Sequence, residues 1–279
     1  MAGTTREFFH HETCMGTVFR FGGQTPFDPA KTKQLVMTAC EILHEADRTF
    51  SLYKPESPLS RLARGEAAVK DLPPVVSEIW DSCEAWESIT DGWFSAFTPE
   101  HTFDPSGIVK TWAARAAANY LVENGLNDIT VNAGGDVWIS DDATGVDDWR
   151  VGLHKPVSIG SAEAGALTVI DLKDTVFRAV ATSGSAERGL HIWNPKAPER
   201  AAADELVQVS IVARDLVTAD VWATAAFAMG SRAIGILDRY NQAHPDQSVQ
   251  AFAIAKSDEP NSVELIFAAT EGFSELFAR

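Results

Sequence analysis

The run LVTADVWATAAFAMG, residues 216–230, is apolar almost throughout. A helix that is apolar around its whole circumference offers no face to water, so other elements must cover it on every side. That requirement excludes a single open layer and asks for a chain long enough to wrap a buried helix. With 279 residues, 45% of them hydrophobic, the chain has enough material for a sizeable core. Near the start of the predicted helix, 218–230, stands Asp220, with Thr224 one turn later on the same face, about 6 Å away. Two oxygen groups at that reach suit one hard cation. The competing explanation is an N-terminal aspartate that complements the helix dipole, with Thr224 bonded back to the Asp220 carbonyl.

The elements around this helix follow from periodicity and turn chemistry. TCMGTVFRFGG (13–23) alternates as a strand, and 31–51 shows apolar residues at helical spacing. A short polar helix or turn is expected over 57–65, an amphipathic helix over 73–92, and an Ala-rich helix over 108–126 that Gly125 ends. Beyond it the texture becomes strand-like: 128–140, 148–156, 165–174, 175–185 and 205–214. The buried helix interrupts this run. A helix at 231–241, strands at 248–256 and 263–270 and a short terminal helix complete the chain. Helices and strands mix without a regular βαβ alternation, which predicts an α+β fold, and no repeat or linker divides 1–279 into separate domains.

Charge and cysteine usage narrow the function classes. The chain carries 39 acidic against 23 basic residues, a net charge of −16, which repels nucleic acid at long range. A phosphate-bearing ligand must then be held locally, by backbone amides, a cation or a metal. Cys14, Cys40 and Cys83 form neither a CxxC pair nor an even framework, and are expected to be reduced core residues. The N-terminus has no apolar signal core, and no stretch reaches the length of a membrane span. The expectation is a cytoplasmic protein with no membrane insertion.

Three further stretches carry candidate chemistry. VNAGGDV (131–137) places Asn132, Gly134, Gly135 and Asp136 at a strand end, as a site of close ligand approach or simply a tight turn. VATSGSAERGLHIWNP (180–195) offers Thr182, Ser183 and Gly184 as an anion-binding nest and His191 as a proton carrier, against the alternative of a polar loop with a structural histidine. TFDPSGIVKTW (102–112) brings Asp104 and Lys110 to a helix start, for an anion or as cap and surface charge.

Taken together and in order, MGT at 15–17, DRTFSLYKPESPLSRL at 47–62, DPSGIVK at 104–110, VNAGGDV at 131–137, ATSG with HIWNP at 181–195 and ADVWATAAFAMG at 219–230 resemble the ApbE family, the FAD:protein FMN transferases. The resemblance implies an ApbE-like, T-fold-related α+β domain of mixed antiparallel sheets and packed helices. It also implies Mg²⁺-dependent transfer of FMN from FAD to a Thr or Ser of a target flavoprotein, with release of AMP. By the same resemblance Asp220, Thr224 and the backbone carbonyl of Val109 hold the metal, while Lys110 and His191 serve catalysis. Met15, Gly16, Thr17 and Tyr53 line the flavin site, Asp104 joins the binding set, and Asn132 to Asp136 with Thr182 to Gly184 hold ribose, adenine or diphosphate. This chain departs from the family pattern at Thr111, a usual glycine, at Arg115 and Asn194, usual aspartates, and at Ser95-Ala96, a usual Asp-Pro. Two alternatives share the pocket: an FAD pyrophosphatase giving FMN and AMP, and a non-catalytic FAD-binding scaffold.

Overall fold

The computed structural model describes residues 5–99, 102–144, 149–156, 165–184, 193–197, 206–257 and 264–278. They fall into two compact units, Met1–Ser88 with Ser95–Asp148, and Ile89–Phe94 with Trp149–Arg279.

In the first unit, β1 (Arg6–Cys14), β2 (Thr17–Thr25), β3 (Asp128–Ala133) and β4 (Asp136–Ile139) pair antiparallel in that order. The expected single strand over 13–23 is therefore a hairpin. Met15 and Gly16 form its two-residue turn with φ of 50° and 71°, the sign pattern of a type I′ turn. Methionine is not a turn signal, and a non-glycine residue at positive φ is unfavourable, so periodicity alone ran the strand through the bend.

The helices of this unit are α1 (Pro29–Phe50), α2 (Pro58–Ala63), α3 (Pro74–Ile89) and α4 (Ser106–Glu123). Asp28 caps α1 by accepting from the amides of Ala30 and Lys31, with Pro29 at the first helical position. Leu35, Val36, Ala39 and Leu43 are buried along its inner face. On α4, Ala113, Ala114, Ala117 and Ala118 are fully buried, and their small side chains let the helix close on α1 and β3. Its end is a Schellman motif: Leu126 donates to the Leu121 carbonyl at 3.0 Å and Gly125 to that of Val122 at 2.9 Å.

In the second unit, β5 (Arg150–His154) and β6 (Ala166–Asp171) make a separate antiparallel pair. There β7 (Ala179–Gly184), β8 (Leu206–Ala213), β9 (Gln250–Lys256) and β10 (Leu265–Ala269) pair antiparallel in sequence. Helix α5 (Leu216–Met229) packs on β7 and β8, and α6 (Ala233–Ala243) on β9 and α5. α5 is the all-apolar helix, with Val221, Trp222, Phe227 and Met229 buried. Burying each such side chain contributes roughly 1.5–3 kcal/mol, so this helix is fixed by its surroundings and not by propensity. Mixed helices and antiparallel strands bear out the α+β class. Cys14, Cys40 and Cys83 are free and buried, and no helix among the described residues is long and apolar enough to cross a membrane.

Candidate functional site

Two hairpin ends meet in the first unit. β2 pairs with β3 so that Phe19 stands opposite Ala133, which brings the Met15–Gly16 turn beside the Gly134–Gly135 turn. Gly134 donates to the Val18 carbonyl at 3.1 Å, and a Cβ on Gly134 would stand 2.3 Å from Thr17 Oγ1. Only glycine allows that approach, and its φ of 66° makes any side chain there strained besides. Asn132 Oδ1 accepts from the Gly135 amide at 2.9 Å and closes the turn. The glycines of VNAGGDV make a tight turn, and that turn stands beside MGT.

Asp136 follows the second turn and is 2% exposed. Its carboxylate accepts from Lys110 Nζ, a side chain 19% exposed on α4. Lys110 is the fifth residue of that helix, just past its first turn. A pair this buried adds little net stability. Asp104 works at the helix start, where Oδ1 accepts from the Ser106 amide at 2.9 Å and its own amide donates to the Ala96 carbonyl at 2.7 Å. Pro105 holds the cap position, so Asp104 supports the helix from one residue before it. Val109 is buried on the same helix. Tyr53 stands 98% exposed, and no hydrogen bond or ring contact among the described residues draws it toward the two turns.

In the second unit Thr182, Ser183 and Gly184 end β7. They are extended and paired with Ser210, Val209 and Gln208 of β8, and the Thr182 and Ser210 hydroxyls are 2.8 Å apart. The segment is strand, within the strand expected over 175–185, and its amides form a ladder and not the alternating helical conformations of a nest. His191 lies outside the described residues.

Helix α5 bears on the capping explanation of Asp220. The N-cap is Asp215, whose carboxylate accepts from the Val217 amide at 2.9 Å. Asp220 is the fifth helical residue and 7% exposed, so the capping role belongs to another residue. Thr224 follows one turn later, half-buried. Sequence reasoning missed Asp215, although an aspartate directly before an apolar run is an N-cap signal.

The family model described as ApbE matches residues 96–245, more than half of the chain. The chain belongs to the ApbE family. An FAD:protein FMN transferase of Klebsiella pneumoniae (strain 342) is 27% identical over 140 residues, which is 47% of this chain and 40% of that protein. The matched stretch thus spans well under half of that relative's length. The fold is that of the flavin transferase ApbE from Vibrio cholerae, with a TM-score of 0.76 at 19% identity over 98% of this chain and 100% of that one. The apo form of the Pseudomonas stutzeri flavinyl transferase ApbE gives 0.76 at 17% identity, over 98% and 97%. The ApbE protein from Thermotoga maritima gives 0.73 at 19%, over 98% and 100%.

The departures of this ApbE chain from the family pattern have structural employment. Thr111 is fully buried, and its hydroxyl donates to the Ile108 carbonyl at 3.2 Å. Arg115 lies over the Trp138 ring at 4.3 Å. Asn194 accepts from the Lys196 amide at 3.0 Å, and Ser95 Oγ from that of Phe97 at 3.1 Å.

Proposed function

We propose that this ApbE protein transfers the FMN moiety of FAD to a Thr or Ser hydroxyl of a target flavoprotein and releases AMP, with Mg²⁺ as cofactor. Residues 1–279 act as one flavin-transferase domain in this proposal, and protein and target share the cytoplasm. The observation that carries it is Asp220: a carboxylate kept in the interior of an apolar helix that a different aspartate already caps. Capping does not account for a carboxylate at that position, whereas an oxygen ligand for a hard cation does.

The donors fit the cation. Asp220 carboxylate, Thr224 hydroxyl and Val109 carbonyl are all oxygen ligands, the set a hard divalent ion prefers. Bound there, Mg²⁺ would neutralise charge on the diphosphate oxygens. The remaining tasks fall to the chain. The Met15–Thr17 and Asn132–Gly135 turns offer bare backbone for the dinucleotide. Asp136 orients Lys110, whose charge serves the phosphoryl oxygens. His191 takes the proton of the acceptor hydroxyl as its oxygen bonds to the FMN phosphorus and the bond to AMP breaks. Thr182 to Gly184 contact the adenosine side from the end of β7.

Incubation with FAD in Mg²⁺ or in chelator, followed by nucleotide chromatography, tests this. AMP release that requires Mg²⁺ and disappears in Asp220→Asn is the expected result. If roughly 100 μM FAD, enough to saturate a micromolar binder, shifts neither flavin fluorescence nor melting temperature, the proposal falls.

A further inference from the structure

A second set of donors faces inward between β1 and α1. Strand alternation puts His10, Glu12 and Cys14 on the covered side of β1. Helical spacing puts Cys40 and His44 one turn apart on α1, which packs on β1. One ligand atom each from His10, Glu12 and Cys40 lie within 4.8 Å of one another. Glu12 accepts from His10 Nε2 at 3.3 Å and from His44 Nε2 at 3.1 Å, and Cys14 Sγ lies 3.5 Å from His44 Nδ1. Cys40 is 1% exposed, whereas the side chains of His10 and Glu12 are 30% and 22% exposed. The thiol is thus anchored in the core while the other two donors reach solvent. His10 also lines an open cleft of about 340 Å³, together with Phe8, Phe27 and Val36.

We propose that His10, Glu12 and Cys40 bind a divalent transition-metal ion of the zinc class. The donors are a nitrogen, an oxygen and a sulfur, a set that favours Zn²⁺ over Mg²⁺ because thiolate and imidazole are softer than oxygen ligands. Bonds of about 2.0–2.3 Å set neighbouring tetrahedral ligands roughly 3.3–3.8 Å apart. Metal binding therefore requires the partly exposed side chains of His10 and Glu12 to move closer to the Cys40 sulfur. His44, bonded to the other Glu12 oxygen, is the outer partner that holds the carboxylate in place.

Binding balances as follows. The sulfur–metal bond forms as the S–H bond breaks and its proton leaves to solvent, and the ring proton that His10 Nε2 donates to Glu12 gives way to the metal. Burial, and then the Glu12 charge, push the Cys40 thiol up to about 12, so the metal-free thiol is protonated at neutral pH. Glu12 is already ionised: burial opposes its charge, but the bonds and charges of His10 and His44 outweigh that and hold it below the usual carboxylate range. The bound ion would tie strand β1 to helix α1. None of these residues belongs to the set proposed to hold FAD or Mg²⁺, so the two proposals fail separately.

Co²⁺ replaces Zn²⁺ at such sites and reports its ligands by colour. The full-length, freshly reduced protein is titrated with Co²⁺ in excess Mg²⁺. The expected result is one Co²⁺ per chain, a thiolate-to-cobalt charge-transfer band in the near ultraviolet, and loss of both on addition of Zn²⁺. Cys40→Ser should abolish the band, and His10→Ala should weaken binding at least 10-fold. His10 is half-exposed, so that variant keeps the test alive if the buried serine impairs folding; circular dichroism checks both. No charge-transfer band in the wild type, a band that persists in folded C40S, or unchanged affinity in folded H10A would each overturn the site and leave a hydrogen-bonded cluster only.

Discussion

Asp215 and Asp220 sit five positions apart on one helix and do opposite things. Asp215 is partly exposed and satisfies a backbone amide that every helix leaves orphaned at its start. Asp220 is buried inside the helix, past the turn where the helix dipole rewards an acid. One aspartate caps the helix; the other does not, and the proposed function gives it the metal.

The largest expected effect breaks this pair apart. Asp220→Asn keeps the size of the side chain and removes the charge, so AMP release should fall at least 10³-fold, about 4 kcal/mol of transition-state stabilisation. Its urea midpoint should stay close to wild type. An active D220N with unchanged Mg²⁺ dependence would make Asp220 as structural as Asp215. Lys110→Met tests a charge with both roles. Asp136 loses the ammonium that its buried carboxylate accepts from, and unfolding free energy should drop by about 3–5 kcal/mol. Replacing both members, Lys110→Met with Asp136→Leu, should restore most of that loss without restoring turnover.

His191→Ala comes next in size. It should slow transfer roughly 10²- to 10⁴-fold, with FAD affinity little changed in a fluorescence titration. Equal loss of binding and transfer would make His191 a ligand contact and leave the hydroxyl to be activated some other way. The smallest effect belongs to Asp215→Ala, which should lower stability by about 1 kcal/mol and leave kcat untouched. A D215A enzyme as inactive as D220N would erase the contrast between the two residues.

What the sequence made legible follows from how local each signal is. The all-apolar run around Asp220 can be read only as a buried helix, and α5 is that helix. The Ala-rich helix and its Gly125 end were equally readable, since spacing and cap lie within one segment. The MG turn was not, because Met15 adopts a conformation that its residue type disfavours and that the β1–β2 pairing imposes. Lys110 and Asp136 are 26 positions apart, so no local pattern joins them. The strand expected over 175–185 is β7, which ends at Gly184 and pairs with β8. The donors of β1 and α1 were hidden as Lys110 and Asp136 were, since His10 and Glu12 alternate on one element while Cys40 lies on another.

Covalent transfer itself is the most direct test. The purified protein is incubated with FAD and Mg²⁺ together with an extract of its native host from which its own gene has been deleted. Products are resolved by denaturing gel fluorescence and mass spectrometry, and AMP is quantified in the same sample. FMN joined by a phosphoester to a Thr or Ser of a host protein, in amounts matching the AMP released and absent with D220N, is the predicted result. Free FMN and AMP with no flavin attached to protein would make the activity hydrolysis of FAD and contradict the transfer assignment.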